Sequence, residues 1–380
     1  MSQFTSDQAT NDQPTKDQPK NSASKKKRGV LLLNLGTPDS AEPEDVGRYL
    51  KEFLMDKYVL DIPWLFRWFL VNVAIVPKRK FASSKLYKSI WTKRGSPLLC
   101  HLEDLASKVE EELGSGYVIA KAMRYQKPSV ESALVQLEKA DLDEILVFPL
   151  YPQYAESATR SSVEFTEKIA QRLGMKTPIR FVPAFYDHPL FIEAASIPVR
   201  KVWEEKKPDH LIMSFHGLPE RHVQKTDRSG GNHCLKSADC CLQIGEANRD
   251  CYRAQSFATA RLIAMKAGIP PGKYTVSFQS RLGRAIWIQP DTEEVIPALV
   301  KKGVKSLAVV CPSFVADCLE TLEEIDVRGK ELFKHSGGDD FYAIPCVNSD
   351  PTWVKAVATI VRETNARAAK LTPELTSAQG

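Results

Sequence analysis

The chain has 380 residues, 43% of them hydrophobic and 26% charged, with a formal net charge of +5. These are the values of an ordinary globular protein long enough for two domains and a large buried core. The charge is small for the length and the basic run at 25–28 sits in a tail, so there is no nucleic-acid footprint and nucleic acid is excluded as a partner.

Residues 1–28 are rich in Gln, Asp, Asn, Thr, Ser, Lys and Pro and hold almost nothing apolar. Such a segment cannot offset the entropy lost on ordering, and it reads as a disordered tail. It lacks the apolar core of a secretory signal, which points to the cytoplasm. The first apolar run, VLLLNLG from Val30, has strand character. The stretch at 62–76, IPWLFRWFLVNVAIV, is the most apolar of all, yet it is shorter than a membrane span and carries Arg67 and Asn72. With Trp64, Phe66, Trp68 and Phe69 clustered and Lys78, Arg79 and Lys80 following, the region 62–80 suits a peripheral membrane contact or the mouth of an apolar pocket; an ordinary core helix has the same periodicity.

Further strand-like runs begin at Tyr117, Glu144, Ile179, His210, Tyr274, Ser306 and Phe341, most of them separated by amphipathic helical stretches. Continuous apolar strands alternating with helices predict parallel sheets covered on both faces, a doubly wound α/β fold. Leu35, Gly36, Thr37 and Pro38 after the first run align with His216, Gly217, Leu218 and Pro219 after the fifth. This internal match predicts two similar domains with a crevice between them, at 29–190 and 191–350. G-x-G-x-x-G, G-x-x-x-x-G-K-[ST] and G-x-S-x-G are all absent, so dehydrogenase, NTPase and serine-hydrolase readings lose their usual support.

The run LIMSFHGLPE at 211–220 ends abruptly in His216. Strand ends face the ligand crevice in open α/β sheets, so an imidazole there stands at the usual reaction site; the plain alternative is a histidine capping a turn. Beyond the strand from Ser306, a segment opens with Asp317, Cys318, Leu319 and Glu320. As a helix it puts Asp317, Glu320 and Glu324 at i, i+3 and i+7 on one face. Such an acidic row is either a solvated face or a path for a cation or protons.

The insert at 225–255 holds Cys234, Cys240, Cys241 and Cys251, half of all the cysteines. Clustered thiols in a reducing compartment point to metal rather than disulfides. The spacing C-x5-C-C-x9-C lacks the paired C-x2-C arms usual for zinc and favours iron–sulfur, with zinc and a redox-sensitive loop as alternatives. His233 reads as a bystander. The remaining cysteines, Cys100, Cys311, Cys318 and Cys346, lie in or beside apolar runs as buried thiols.

Taken together, LLLNLGTPDS, MRYQKPSVESA, PLYPQYAESATRSS, SFHGLPER, FQSRLGRAIWIQP and CLETLEEID resemble the ferrochelatase family, from about residue 29 to residue 362. The resemblance implies two flavodoxin-like, four-stranded domains with a C-terminal helix, at 351–370, packing back on the first, and insertion of ferrous iron into protoporphyrin IX to give protohaem. A coproporphyrin ferrochelatase, a cobalt chelatase and a non-enzymatic tetrapyrrole or iron carrier are the rival readings. It further implies His216 and Glu320 as catalytic and metal-contacting residues, with Glu324 as the second acid of the helix. Arg124, Tyr125, Ser96 and Trp287 are implied as substrate contacts. Some bacterial members carry a 2Fe-2S cluster on an internal cysteine-rich segment, which implies Cys234, Cys240, Cys241 and Cys251 as its ligands. The chain departs from the family at Cys318, where some members carry histidine, and at Lys88 and Ser89, where the animal enzymes have an arginine pair.

Overall fold

The computed structural model describes residues 27–281, 283 and 285–376, the side chains of 367–376 excepted. All eight apolar runs form strands: β1 Arg28–Gly36, β2 Tyr117–Tyr125, β3 Ile145–Pro149, β4 Ile179–Phe181, β5 His210–His216, β6 Tyr274–Gln279, β7 Ser306–Val310 and β8 Asp340–Ala343. Every pairing is parallel, and the two sheets run β2-β1-β3-β4 and β6-β5-β7-β8, so the second repeats the order of the first. The expectation of two doubly wound α/β halves is borne out. Helices cover both faces of each sheet, which is why Val30 to Leu33 of β1 and Ile145 to Phe148 of β3 are all apolar and buried.

β1 begins two residues before Val30, inside the stretch read as tail. Arg28 donates its N–H to Gly116 O and its Nε lies 3.2 Å from Glu144, which draws the basic end of the run into the sheet. The rest of that stretch, 1–26, lies outside the described residues.

The internal match has a structural cause. A Cβ on Gly36, whose φ is +143°, would sit 2.5 Å from Tyr125 O at the end of β2. A Cβ on Gly217 would sit 2.7 Å from Gln279 O at the end of β6. In each half a glycine lets the end of the central strand pass close to its neighbour's carbonyl. In each half, too, the strand order reverses beside that end, between β1 and β3 and between β5 and β7, which is where α/β sheets leave a ligand crevice.

The largest apolar core is continuous across the two halves, joining Leu32 and Phe148 to Met213 and Phe215. The helix Pro351–Thr376 caps it: Trp353 is fully buried with its ring 5.8 Å from both Phe185 and Phe191. Arg362 donates to Glu112 O at 2.7 Å and ties this helix to Pro97–Leu113 of the first half.

The apolar stretch near residue 64 is not core. Trp64–Phe69 is a short helix, continuing through a π-helical turn, Leu70–Ile75, into the helix Val76–Ile90. Trp64, Leu65, Phe66 and Phe69 are each more than half exposed. Arg67 alone turns inward, donating to Leu60 O at 2.9 Å. Among the described residues no helix is long and apolar enough to cross a membrane.

Candidate active site

A cavity of about 500 Å³ opens where the two sets of strand ends meet. Its first-half wall is aromatic. The helix Pro43–Leu54 carries Tyr49, Leu50 and Phe53 on one stripe, and Tyr87 from the helix Val76–Ile90 meets Tyr49 edge-on at 6.3 Å. Leu218, Trp287 and Phe314 face them from the second half. Burial, and then the nearby carboxylate of Glu320, push the Tyr49 hydroxyl well above the ordinary phenol range. The acid of one half is thus felt by the wall of the other.

His216 ends β5 at the rim of this space and is half-buried. Its backbone N–H donates to Ser313 Oγ at 3.0 Å, anchoring the strand end to the loop after β7. Its Nδ1 lies 2.6 Å from Gly217 O, so Nδ1 bears the hydrogen and Nε2 is the nitrogen left to accept a proton or bind a cation.

The acidic segment is a helix from Glu320, and Glu320–Gly329 is π-helical, a geometry that gathers at functional sites. Glu320 and Glu324 both line the cavity. Glu324 accepts from Ser280 N–H (2.8 Å) and Ser280 Oγ–H (2.5 Å); burial, against those hydrogen bonds and with help from Glu320, raises its carboxyl above the usual range. The thiol of Cys318 sits against Glu320, and burial together with that carboxylate keeps it protonated.

Asp317 corrects the expected row. It precedes the helix, does not line the cavity, and its carboxylate accepts from Thr321 Oγ (3.0 Å), Cys346 N–H (3.2 Å) and Asn348 Nδ2 (2.7 Å). The acid that this helix brings to the wall beside Glu320 and Glu324 is instead Glu323, buried and paired with Arg328 Nε at 3.0 Å.

Arg124 and Tyr125 also lie elsewhere than expected. Both turn to Asp56, Arg124 at 2.7 Å and the Tyr125 hydroxyl at 2.9 Å, and neither lines the cavity. A buried carboxylate recruits the cation and the hydroxyl, and Tyr125 becomes the support behind Phe53, with ring centroids 5.3 Å apart. Ser96 and Trp287 do line the space: Ser96 Oγ is 2.7 Å from Thr37 Oγ, and Trp287 Nε1 is buried without a hydrogen-bond partner in the structure. Lys88 and Ser89 turn away, Lys88 to Glu42 and Ser89 to Leu86 O.

Sequence reading missed Tyr49, Phe53 and Tyr87, and Tyr252 beside Ser313, whereas Arg79, in the region read as a membrane contact or pocket mouth, does line the cavity. The Tyr49–Phe53 stripe was the available signal, but an aromatic stripe has the same period whether it faces a core or a cavity.

Cys234, Cys240, Cys241 and Cys251 are all buried. Their thiols touch in sequence: Cys240 Sγ is 3.7 Å from Cys241 Sγ, Cys241 bonds with Cys251, and Cys251 with Cys234. The hydrogen bond with Cys234 is the chief reason the Cys251 thiol is pushed up to about 12. Arg253 donates to Cys241 Sγ at 3.1 Å, and Asp227 holds the backbone N–H of Cys234 at 2.7 Å. His233 points its Nε2 to Cys240 O at 3.1 Å and so takes no part in the sulfur set. Among the described residues no group of three or more His, Cys, Asp or Glu side chains is arranged so as to hold a metal ion. The four buried thiols form one chain of contacts, Cys240 to Cys241 to Cys251 to Cys234, a set of soft sulfur donors whose chemistry suits iron or zinc.

Two flavodoxin-like sheets with facing strand ends, and between them an apolar slot edged by an imidazole and carboxylates, define a chelatase-type protein. The chain belongs to the ferrochelatase family, whose members insert a metal ion into a porphyrin: the family's model, Ferrochelatase, matches residues 27–365. It is 46% identical over 336 residues to the ferrochelatase of Bdellovibrio bacteriovorus, covering 88% of this chain and 99% of that one. It is 43% identical over 341 residues to the ferrochelatase of Coxiella burnetii (strain Dugway 5J108-111), covering 90% and 94%. Among solved structures, SirB from Bacillus subtilis with Fe3+ is similar in fold, with a TM-score of 0.51 and 14% identity over 90% of this chain and 98% of that one.

Proposed function

We propose that this chain inserts ferrous iron into protoporphyrin IX to give protohaem, with His216 and Glu320 carrying the chemistry. The observation behind this reading is that an imidazole from the end of β5 and a carboxylate from the helix after β7 line one aromatic-walled cavity of about 500 Å³. Metallation removes two pyrrole N–H protons and strips water from the iron. The neutral Nε2 of His216 accepts a proton or binds Fe²⁺, and Glu320 supplies negative charge for the dication and a second proton acceptor. Glu324 extends the acids away from the ring, and Arg79 at the rim offers a guanidinium to an edge carboxylate. A multiple-turnover assay with protoporphyrin or coproporphyrin and with ferrous iron or cobalt tests the reading. Faster metallation of coproporphyrin or with cobalt would reassign the substrate, and binding without turnover would leave a carrier.

Cys234, Cys240, Cys241 and Cys251 are the residues that would hold a 2Fe-2S cluster. When bound, such a cluster supplies a cross-link within the insert and a one-electron redox centre. Ferrous insertion involves no net electron transfer, so the insertion chemistry rests on His216 and Glu320. Visible absorption and metal analysis of anaerobically purified protein test this; a colourless sample with one zinc per chain would overturn it. The exposed apolar lip at 64–70, followed by Lys78, Arg79 and Lys80, suits peripheral contact with an anionic membrane, and flotation with vesicles measures it.

A further inference from the structure

The first turn of the helix Tyr252–Ala267 joins the cysteine set to the segments that carry both walls of the cavity. Cys251 caps the helix and belongs to the sulfur set. Tyr252, 6% exposed, lines the cavity near Ser313, whose hydroxyl accepts the His216 N–H. Arg253 donates to Cys241 Sγ at 3.1 Å and, through Nε and its second amino group, to Gln289 O at 3.3 and 3.2 Å. Gln289 lies two residues beyond Trp287. Gln255 receives the N–H of Tyr154 on its Oε1 (2.7 Å) and donates Nε2 to Arg249 O in the insert (2.6 Å). Tyr154 sits between Gln153 and Ala155, both on the first-half wall.

We propose that Arg253 and Gln255 are positioning residues that tie the order of the cysteine set to the two walls of the cavity, so that fixing the sulfurs fixes the substrate slot. This rests on the porphyrin reading of the cavity. The physical case is one of rigid links. A guanidinium is a planar fork whose donors cannot move independently, so a shift of Cys241 Sγ is passed to Gln289 O and from there to the loop bearing Trp287. Gln255 does the same for the first half, because its amide bridges the insert to Tyr154 with both of its ends engaged. Two hydrogen-bonded arms leaving one helical turn give the insert a hold on each side of the slot.

The test is protoporphyrin binding without added metal, followed by fluorescence, in wild type, Arg253→Met, Cys241→Ala and the double variant. Each single change should weaken binding about five- to tenfold, the scale of ordinary site-to-site coupling. The double variant should be no weaker than the worse single one, because both break the same link. Emission from Trp287, taken as the difference from Trp287→Phe, should shift in Arg253→Met while the iron content of the protein stays unchanged. If Cys241→Ala does not fold, Gln255→Leu, which leaves every thiol in place, should weaken binding to a similar extent. Losses that multiply in the double variant, or wild-type affinity in both Arg253→Met and Gln255→Leu, would overturn the proposal while leaving the porphyrin site intact. Wild-type protein that fails to bind protoporphyrin would remove the functional reading and this one together.

Discussion

His216 Nδ1 lies 2.6 Å from the carbonyl oxygen of Gly217, the residue that follows it. A carbonyl can only accept, so this contact selects the tautomer with Nε2 unprotonated and sets the ring's orientation at the end of β5. His216→Ala should therefore lower multiple-turnover iron insertion by about 100-fold or more, the scale of a lost general base. The melting temperature should hardly move, because the ring is half-buried and its packing rests on its bond to Gly217 and an aromatic contact with Phe314 at 6.3 Å. Near-normal turnover would remove His216 from the chemistry.

Asp317 and Glu320 should separate cleanly under mutation. Asp317 is buried and satisfies Thr321, Cys346 and Asn348, so Asp317→Ala leaves buried donors without an acceptor and should cost about 2–4 kcal/mol in urea unfolding. Activity per folded molecule should stay within a few-fold. Glu320→Gln should do the reverse, cutting turnover about 100-fold with little change in unfolding midpoint. Equal effects of the two substitutions on turnover would restore Asp317 to the row.

The contrast shows what was legible. The eight strands were readable because parallel strands buried on both faces are continuously apolar, and His216 stood out because it ends such a run. Glu320 and Glu324 were readable because both lie within the helix. Asp317 was not, because its role depends on where the helix begins and on Asn348, 31 residues away. Arg124 and Tyr125 turn to Asp56, 68 and 69 residues distant, and periodicity says nothing of which carboxylate a cation will find. Tyr49 and Phe53 were overlooked because a stripe facing a cavity has the spacing of one facing a core.

The Asp56 cluster makes its own prediction. Asp56 accepts from Arg124, Tyr125 and Ser161 Oγ, with the Arg124 and Asp56 side chains only 10% and 4% exposed. Arg124→Met leaves a buried carboxylate without its cation and should cost about 3–5 kcal/mol. Tyr125→Phe, which loses one hydrogen bond to a charged group, should cost about 1.5–3 kcal/mol. In Tyr125→Phe, KM for the porphyrin should be unchanged, since the hydroxyl faces Asp56 and not the cavity; a raised KM with unaltered stability would make it a substrate contact.

Asp61, just ahead of the exposed lip, is held by the second half: Arg221 Nε donates at 2.8 Å, Lys225 Nζ also pairs with it, and His222 Nε2 stands 3.4 Å away. Burial pushes its carboxyl up, but the hydrogen bonds from Arg221 and Lys225 outweigh that and hold it well below the usual range. His222 is itself held below the ordinary imidazole range by burial, so at neutral pH the charge opposite Asp61 comes from Arg221 and Lys225. Because the folded state lowers the Asp61 pKa, the clasp contributes stability above the unfolded value of about 3.9 and loses it as pH falls through the folded value. The two cations are half exposed and solvent screens them, so Asp61→Asn should cost about 1 kcal/mol at pH 7. Urea melts taken downward from pH 7 should show the gap between wild type and variant narrowing once pH passes below about 4. A gap that stayed constant to the lowest pH reached would mean that the clasp holds the lip by packing and not by charge.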